Sequence, residues 1–280
     1  MMSKVLLVTG ASKGIGLEIV INGLERGYIV VGTSRNTEKL KSEVARTHNH
    51  LIDNFFPLSM NLDKNSVNFA IEKIINKYGK VDVVVNNAGY AILGALEEFS
   101  IEEIKDNFDV NVFGTFNVMK AVLPYMRKQK SGSIINLASI SGSVTGVSQS
   151  IYSATKSAVI MMSEALSLEV AEFNIKVTAI CPGGVRTDFL DTSSMRKPKE
   201  QISEYNAVQQ TMKKLDKLNH NQSGDPKLVA KAILEVAEME KAPKRLYLNA
   251  GAVSGIKDKV SQILSEVEEN IDLSLSTDSL

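Results

Sequence analysis

The sequence predicts a single α/β domain: a parallel sheet of about seven strands, doubly wound by helices on both faces. Two observations carry this reading. Short β-branched runs alternate with longer stretches of helical period from residue 5 to about 180, and most of these runs lack in-out alternation, as strands buried on both faces must. No Pro/Gly/Ser-rich linker, internal repeat or low-complexity stretch interrupts them. At 280 residues the chain lies near the upper limit for one hydrophobic core, burying roughly three quarters of its unfolded surface.

The predicted strands are, in order, Val5 to Val8, Tyr28 to Val31, Val81 to Val85, Ile134 to Leu137, Ile175 to Ile180 and Leu246 to Leu248. Leu17, Val20, Ile21 and Leu24 recur at helical spacing after the first strand, and Val67, Ile71, Ile74, Ile75 and Tyr78 form a second stripe. Val112, Phe116, Met119, Leu123 and Met126 repeat the pattern. In the helix carrying Tyr152 and Lys156, the expected buried stripe is Ala158, Met161, Ala165 and Leu168.

Two regions leave this rhythm. Residues 183 to 225 crowd Lys, Asp, Ser, Gln and Asn around Phe189, Leu190, Met195, Tyr205 and Met212, which reads as a mobile lid over the sheet edge, or more plainly as a solvated helix pair. The domain is expected to span residues 1 to 252, followed by an extension from 253 to 280. There Ile256, Val260, Ile263, Leu264, Val267 and Ile271 mark an amphipathic helix, expected to pack on its own domain, before the polar end Ser274 to Leu280.

Composition narrows the function. The 32 basic and 32 acidic side chains cancel, leaving no electrostatic footprint for nucleic acid or an anionic membrane. The one cysteine, Cys181, excludes a disulfide framework and a multi-cysteine zinc site. The opening apolar run, Val5 to Val8, is too short for a signal-peptide core, and no later run is long enough to span a bilayer, so the expectation is a soluble cytoplasmic protein.

Thr9-Gly10-Ala11-Ser12-Lys13-Gly14-Ile15-Gly16 follows the first strand and opens into a helix. Glycines there let the backbone approach a pyrophosphate, which the unpaired N–H groups and positive dipole end of the helix attract. No Gly-Lys-Ser/Thr follows, so this is not a Walker loop. After the second strand, Arg35 stands where a fold selecting the unphosphorylated dinucleotide places Asp or Glu. A guanidinium pairs with a 2′-phosphate and Lys13 adds a second cation, favouring NADP(H) over NAD(H); an exposed loop arginine is the bland alternative.

A nucleophile elbow is absent, since Gly142-Ser143-Val144-Thr145-Gly146 has Val at the nucleophile position. His48, His50 and His220 lack metal-site spacing, and no metal is expected. Tyr152 and Lys156, four apart on one helix, share a side. Ser139 closes the strand ending at Leu137, the edge where ligands of a parallel sheet sit. Tyrosine, with an unperturbed pKa of about 10, serves as a proton donor to a developing alkoxide near neutrality if nearby cations lower that value, and Lys156 with an oxidised nicotinamide would do so.

With these residues in view, the sequence resembles the short-chain dehydrogenase/reductase family, whose Rossmann-fold pattern Thr-Gly-x-x-x-Gly-x-Gly, Asn-Asn-Ala-Gly, Ser and Tyr-x-x-x-Lys occurs in order over roughly residues 4 to 190. The match includes Asn86-Asn87-Ala88-Gly89, Asn111, and Pro182-Gly183-Gly184-Val185-Arg186-Thr187. The resemblance implies that Tyr152 is the general acid/base, Ser139 orients the carbonyl, Lys156 tunes the tyrosine and holds the nicotinamide ribose, and Asn111 holds a water in the proton relay. It implies a cofactor held by Gly10, Ser12, Lys13, Gly14, Ile15, Gly16, Arg35, Leu62, Asn87, Ala88, Gly89, Tyr152, Lys156, Pro182, Gly183, Val185 and Thr187. The family usually has Asp near the adenine. Here Asn61-Leu62-Asp63 gives Asn61 that place, with Asp63 the competing frame.

Gly224-Asp225-Pro226, Arg245-Leu246 and the extension resemble the hydroxysteroid- and retinol-dehydrogenase-like branch. Ile92, Leu93, Val144 and Val147, with Phe189 and Met195 from the lid, are expected to favour an apolar ketone or aldehyde as the small-molecule substrate. The rival readings are an NADP(H)-sensing binding protein without turnover and a reductase of small polar ketones. By the same resemblance a homodimer or homotetramer is expected, joined through the helices near Asn111 to Met126 and Tyr152 to Phe173.

Overall fold

The computed structural model describes residues 3–278. The strands are β1 (Val5–Val8), β2 (Ile29–Ser34), β3 (Phe55–Ser59), β4 (Val83–Asn86), β5 (Ala91–Ile92), β6 (Gly132–Leu137), β7 (Ile175–Pro182), β8 (Met195–Arg196) and β9 (Arg245–Leu248). The helices are α1 (Gly14–Glu25), α2 (Thr37–His48), α3 (Lys64–Tyr78), α4 (Ile101–Phe108), α5 (Gly114–Gln129), α6 (Ser150–Glu169), α7 (Asn206–Leu218), α8 (Pro226–Glu238), α9 (Ala250–Glu269) and α10 (Ile271–Leu275).

Seven strands form one parallel sheet in the order β3-β2-β1-β4-β6-β7-β9, while β5 and β8 pair only with each other. Successive residues of a strand face opposite layers. Leu6 and Val8 accordingly pack with α1, α2 and α8, and Val5 and Leu7 with α3 and α5. From β1 the chain winds outward first through β2 and β3, then returns to β4 and winds the other way. The carboxyl ends of β1 and β4 therefore flank the crevice in which such sheets bind ligands.

Local chemistry sets the boundaries. Asp63 caps α3 by accepting from Asn65 and Ser66 N–H, and the helix stops at Gly79, whose φ of 75° suits glycine. Asp225 caps α8 with Pro226 at its first turn, and Ser100 with Glu103 forms a capping box on α4.

β3 lies at a position where the sequence offered no strand. Its run Phe55-Phe56-Pro57-Leu58-Ser59 is interrupted by a proline, which the sheet accepts because β3 is an edge strand paired on one side only. On α6 the expected buried stripe is wrong: Met161 and Leu168 are exposed, and Tyr152, Lys156, Val159, Ile160, Ser163 and Leu166 face inward. Polar residues with internal partners disguise that inner face; Ser163, for one, bonds to Asn136 of β6 at 2.8 Å.

The extension also departs from expectation. Only the start of α9 packs on the domain, through buried Ala252 and half-buried Ile256 and Lys259, and residues 260 to 278 are exposed. The insertion is clamped at its base, where Val185 bridges to Gly224, and its β8 reaches across to β5.

Candidate active site

The glycine turn is fixed from below. Gly10 and Gly14 adopt φ of 63° and 55°, in the left-handed region that favours glycine. A Cβ on Gly10 would stand 2.8 Å from the Ala88 Cα. The Thr9 hydroxyl accepts the N–H groups of Asn87 and Ala88 at 3.0 Å each, and Asn87 Nδ2 donates to the carbonyls of Thr9 and Gly10, also at 3.0 Å. The Asn-Asn-Ala-Gly segment is thereby bolted to the turn. Lys13, at the N-cap of α1, places no side-chain acceptor on the first helical N–H groups, so these remain available to an anion.

Tyr152 and Lys156 lie in the first two turns of α6, both buried. Lys156 Nζ donates to the Leu137 carbonyl at 2.7 Å and lies 5.9 Å from the centre of the Tyr152 ring. Burial lowers the lysine pKa to about 8. Burial likewise pushes the Tyr152 phenol up to about 12, with Ser139 opposing through a hydrogen bond. In the protein by itself desolvation of the phenolate is the larger influence and Ser139 the smaller, opposing one; the lowering expected from Lys156 together with an oxidised nicotinamide belongs to the cofactor-bound enzyme. At neutral pH Tyr152 is a loaded proton donor.

Asn111 sits on a π-helical turn, Asp109–Phe113, and is 1% exposed. Its Oδ1 accepts the Tyr90 N–H at 3.0 Å, and Nδ2 donates to the Tyr90 carbonyl at 2.9 Å and to Thr155 Oγ1 at 3.1 Å. The side chain thus ties the turn that leads into α5 to the Tyr90 loop and to α6. Gly89 leaves the space between: a Cβ there would meet Asn111 Oδ1 at 3.0 Å and Lys156 Nζ at 3.5 Å.

These elements surround a cleft of about 1070 Å³ along the carboxyl ends of the sheet. Every expected catalytic or cofactor residue lines it except Gly16 and Asn111. Gly16 is packed against Gly10 and Asn87, where a side chain has no room, and Asn111 lies behind Gly89. Asn61, Leu62 and Asp63 all border the cleft, although the Asp63 carboxylate also caps α3. Arg35 and Lys13 line it too, Arg35 with its side chain exposed.

The substrate end differs more from expectation. Ala91, Leu93, Met195 and Phe189 cluster around the Tyr152 ring with Met212 and Leu215. Ile92 instead packs with Phe99 and Ile151, Val144 lies off the cleft, and Val147 is exposed beside a separate groove. Alternation within β5 turns Ala91 inward to this cluster and sends Ile92 the other way. Gln149, Leu215, Leu218 and Gln222 line the cleft although the sequence singled out none of them. Arg196 does so as well, stacked 4.4 Å over the Tyr90 ring. No local motif marks Leu215, Leu218, Gln222 or Arg196, because the insertion brings them to the site only once folded, and Gln149 reaches it from the start of α6.

The short chain dehydrogenase profile matches residues 4–198. The chain belongs to that family. This dehydrogenase is 34% identical over 269 residues to oxidoreductase BOA17 of Botryotinia fuckeliana, covering 96% of each chain. It is 37% identical over 250 residues to the 3-ketodihydrosphingosine reductase of Bacteroides thetaiotaomicron, covering 88% of this chain and 87% of the relative. Among solved structures it is similar to a short-chain dehydrogenase from Streptomyces avermitilis, with a TM-score of 0.91 and 35% identity over 99% of this chain and all of that one. ElxO with NADP bound gives 0.76 and 28%, covering 90% of this chain and 100% of the other. The family makes the chain a nicotinamide-dependent oxidoreductase acting on alcohol and carbonyl groups.

Proposed function

We propose that this dehydrogenase is an NADP(H)-dependent reductase of an apolar ketone or aldehyde. The carrying observation is the setting of Tyr152: Ser139 bonds to it, and its ring belongs to an apolar cluster with Ala91, Leu93, Met195 and Leu215, so the proton donor is set in an apolar wall. The cradle fits the dinucleotide. Gly10 and Gly14 clear the turn, the first N–H groups of α1 are uncapped, and Arg35 and Lys13 supply positive charge with no carboxylate between Gly32 and Asn36. ElxO, solved with NADP, and the Bacteroides relative, named a 3-ketodihydrosphingosine reductase, support the cofactor and substrate readings.

When bound, the nicotinamide supplies the hydride to the carbonyl carbon. Tyr152 Oη gives its proton to the oxygen, for which its raised pKa keeps it protonated at neutral pH. Ser139 Oγ accepts from Ser141 N–H at 3.1 Å, and its own hydrogen, directed at Tyr152 in the protein by itself, can turn to hold that oxygen. Lys156 refills the tyrosine or holds a cofactor hydroxyl, for which a pKa of about 8 leaves it mostly charged at pH 7. Since the Asn111 amide is fully engaged, a relay water would bind its backbone carbonyl, which also accepts from Thr115 at 2.9 Å.

Exposed Phe116, Met161 and Leu168 on the α5 and α6 faces support a homodimer or homotetramer. No described helix is long and apolar enough to cross a membrane, and the lone buried thiol of Cys181 suits the cytoplasm. The test is NADPH oxidation across ketosteroids, retinal, long-chain keto compounds, sugars and small ketones, with Tyr152→Phe alongside. Turnover of an apolar class, lost in the variant while NADPH still binds, is expected; turnover of sugars alone, or undiminished in Tyr152→Phe, refutes the reading.

A further inference from the structure

We propose that α9 is a homotypic docking element, pairing antiparallel with α9 of a second copy of this chain about a two-fold axis beside Ile263. Beyond Lys259 the helix leaves the domain and carries its apolar stripe into solvent: Val260, Ile263, Leu264 and Val267 are 48%, 45%, 57% and 55% exposed. Four large aliphatic side chains on one face of an isolated helix are a surface that monomeric proteins rarely show.

The charges name the occupant. At 3.6 residues per turn, Lys257 and Glu268 border the stripe on one side, and Lys259 and Glu266 border it on the other. Each border thus holds a cation in the half near the domain and an anion in the outer half. In an isologous pair residue i meets j and j meets i. One antiparallel register then sets Lys257 against the other copy's Glu268 and Lys259 against its Glu266. The same register brings Val260 within one residue of Leu264, and Ile263 within one residue of its own counterpart beside the axis. A parallel pair would oppose Lys to Lys and Glu to Glu.

A bilayer fits poorly. The outer half of the stripe is bordered by Glu266 and Glu268, whereas helices that lie on anionic lipid present Lys and Arg beside the apolar face. Near the domain the stripe also continues into a groove of about 760 Å³ that Lys259 borders with Leu96, Val147, Tyr205 and Val208. The outer half of the second helix would lie beside this groove, next to the insertion. This surface is separate from the α5 and α6 faces, and the inference does not rest on the substrate reading.

Ile263→Cys tests the axis directly, since the chain's own Cys181 is buried. Under mild oxidation at low micromolar concentration it is expected to form a covalent dimer, while Ser265→Cys, on the opposite face, stays uncrosslinked; equal behaviour of the two overturns the pairing. Sedimentation gives the second readout. Glu266→Lys with Glu268→Lys is expected to weaken association at least tenfold, halving the mass of whatever assembly forms, and adding Lys257→Glu with Lys259→Glu restores it. Unchanged mass in the first variant, or no rescue in the second, refutes the register. Flotation with phosphatidylcholine and phosphatidylglycerol vesicles that is lost in Ile263→Lys would assign the stripe to lipid instead. Thermal melting of each variant checks that the fold is intact.

Discussion

Replacing Gly10 with alanine puts the cradle under a calculable load. Its φ of 63° costs an alanine about 1–2 kcal/mol. The new Cβ would also stand 2.8 Å from the Ala88 Cα and 3.0 Å from its Cβ, well inside van der Waals contact, and both neighbours belong to a segment that cannot yield alone. Asn87 and Ala88 are held by four hydrogen bonds to Thr9 and Gly10, each at 3.0 Å. Relieving the clash stretches some of these, at about 1 kcal/mol apiece. The expected total is about 2–4 kcal/mol, or a fall in Tm of roughly 4–10 °C for a chain of this size. Scanning fluorimetry with and without NADPH reads both consequences, because distortion of the turn also removes the cofactor-induced rise in Tm. A variant that melts within 1–2 °C of wild type and keeps that rise would show that the turn is not gripped as described.

Arg35→Asp is expected to raise KM for NADPH about 10- to 100-fold while leaving or improving the use of NADH, as loss of a charge-assisted contact implies; steady-state kinetics with both nucleotides decides it, and equal losses for the two would remove Arg35 from the 2′-phosphate. Lys156 has a folded pKa of about 8 against an ordinary 10.5, so between those values the unfolded chain binds more protons and wild-type stability rises with pH, while below pH 8 the cost of the buried charge is complete. Lys156→Met removes that cost, so its stability relative to wild type should fall by about 3 kcal/mol from pH 7 to pH 10.5 in urea denaturation, and a pH-independent difference would show that the lysine is not desolvated. Asn136 is fully buried, accepting from Asn86 Nδ2 at 2.8 Å and donating to Ser163 at 2.8 Å. Asn136→Leu strands Asn86 Nδ2 and should cost about 3 kcal/mol, seen as a lower urea midpoint at constant slope; a change under about 0.5 kcal/mol would mean the network contributes nothing.

What the sequence by itself determined here is whatever neighbouring residues decide. Apolar runs such as Val5 to Val8 become buried strands, and the glycine turn between strand and helix becomes an anion cradle, because both depend on backbone geometry over a few residues. Tyr152 and Lys156 share a face by helix pitch, and Ser139 follows the strand they pack beside, so the catalytic floor was also legible. What depended on distant partners was decided by the tertiary structure. β3 exists because β2 offers an edge that accepts Pro57. The inward face of α6 is settled by Asn136 and Leu137 of β6, which satisfy Ser163 and Lys156 and allow polar residues to be buried. The wall around Tyr152 forms where the insertion folds back and pairs β8 with β5. The proton donor's pKa follows the same rule: the sequence supplied the neighbouring lysine, but the depth of burial set the sign, because desolvation depends on everything packed around the phenol and not on its place in the chain.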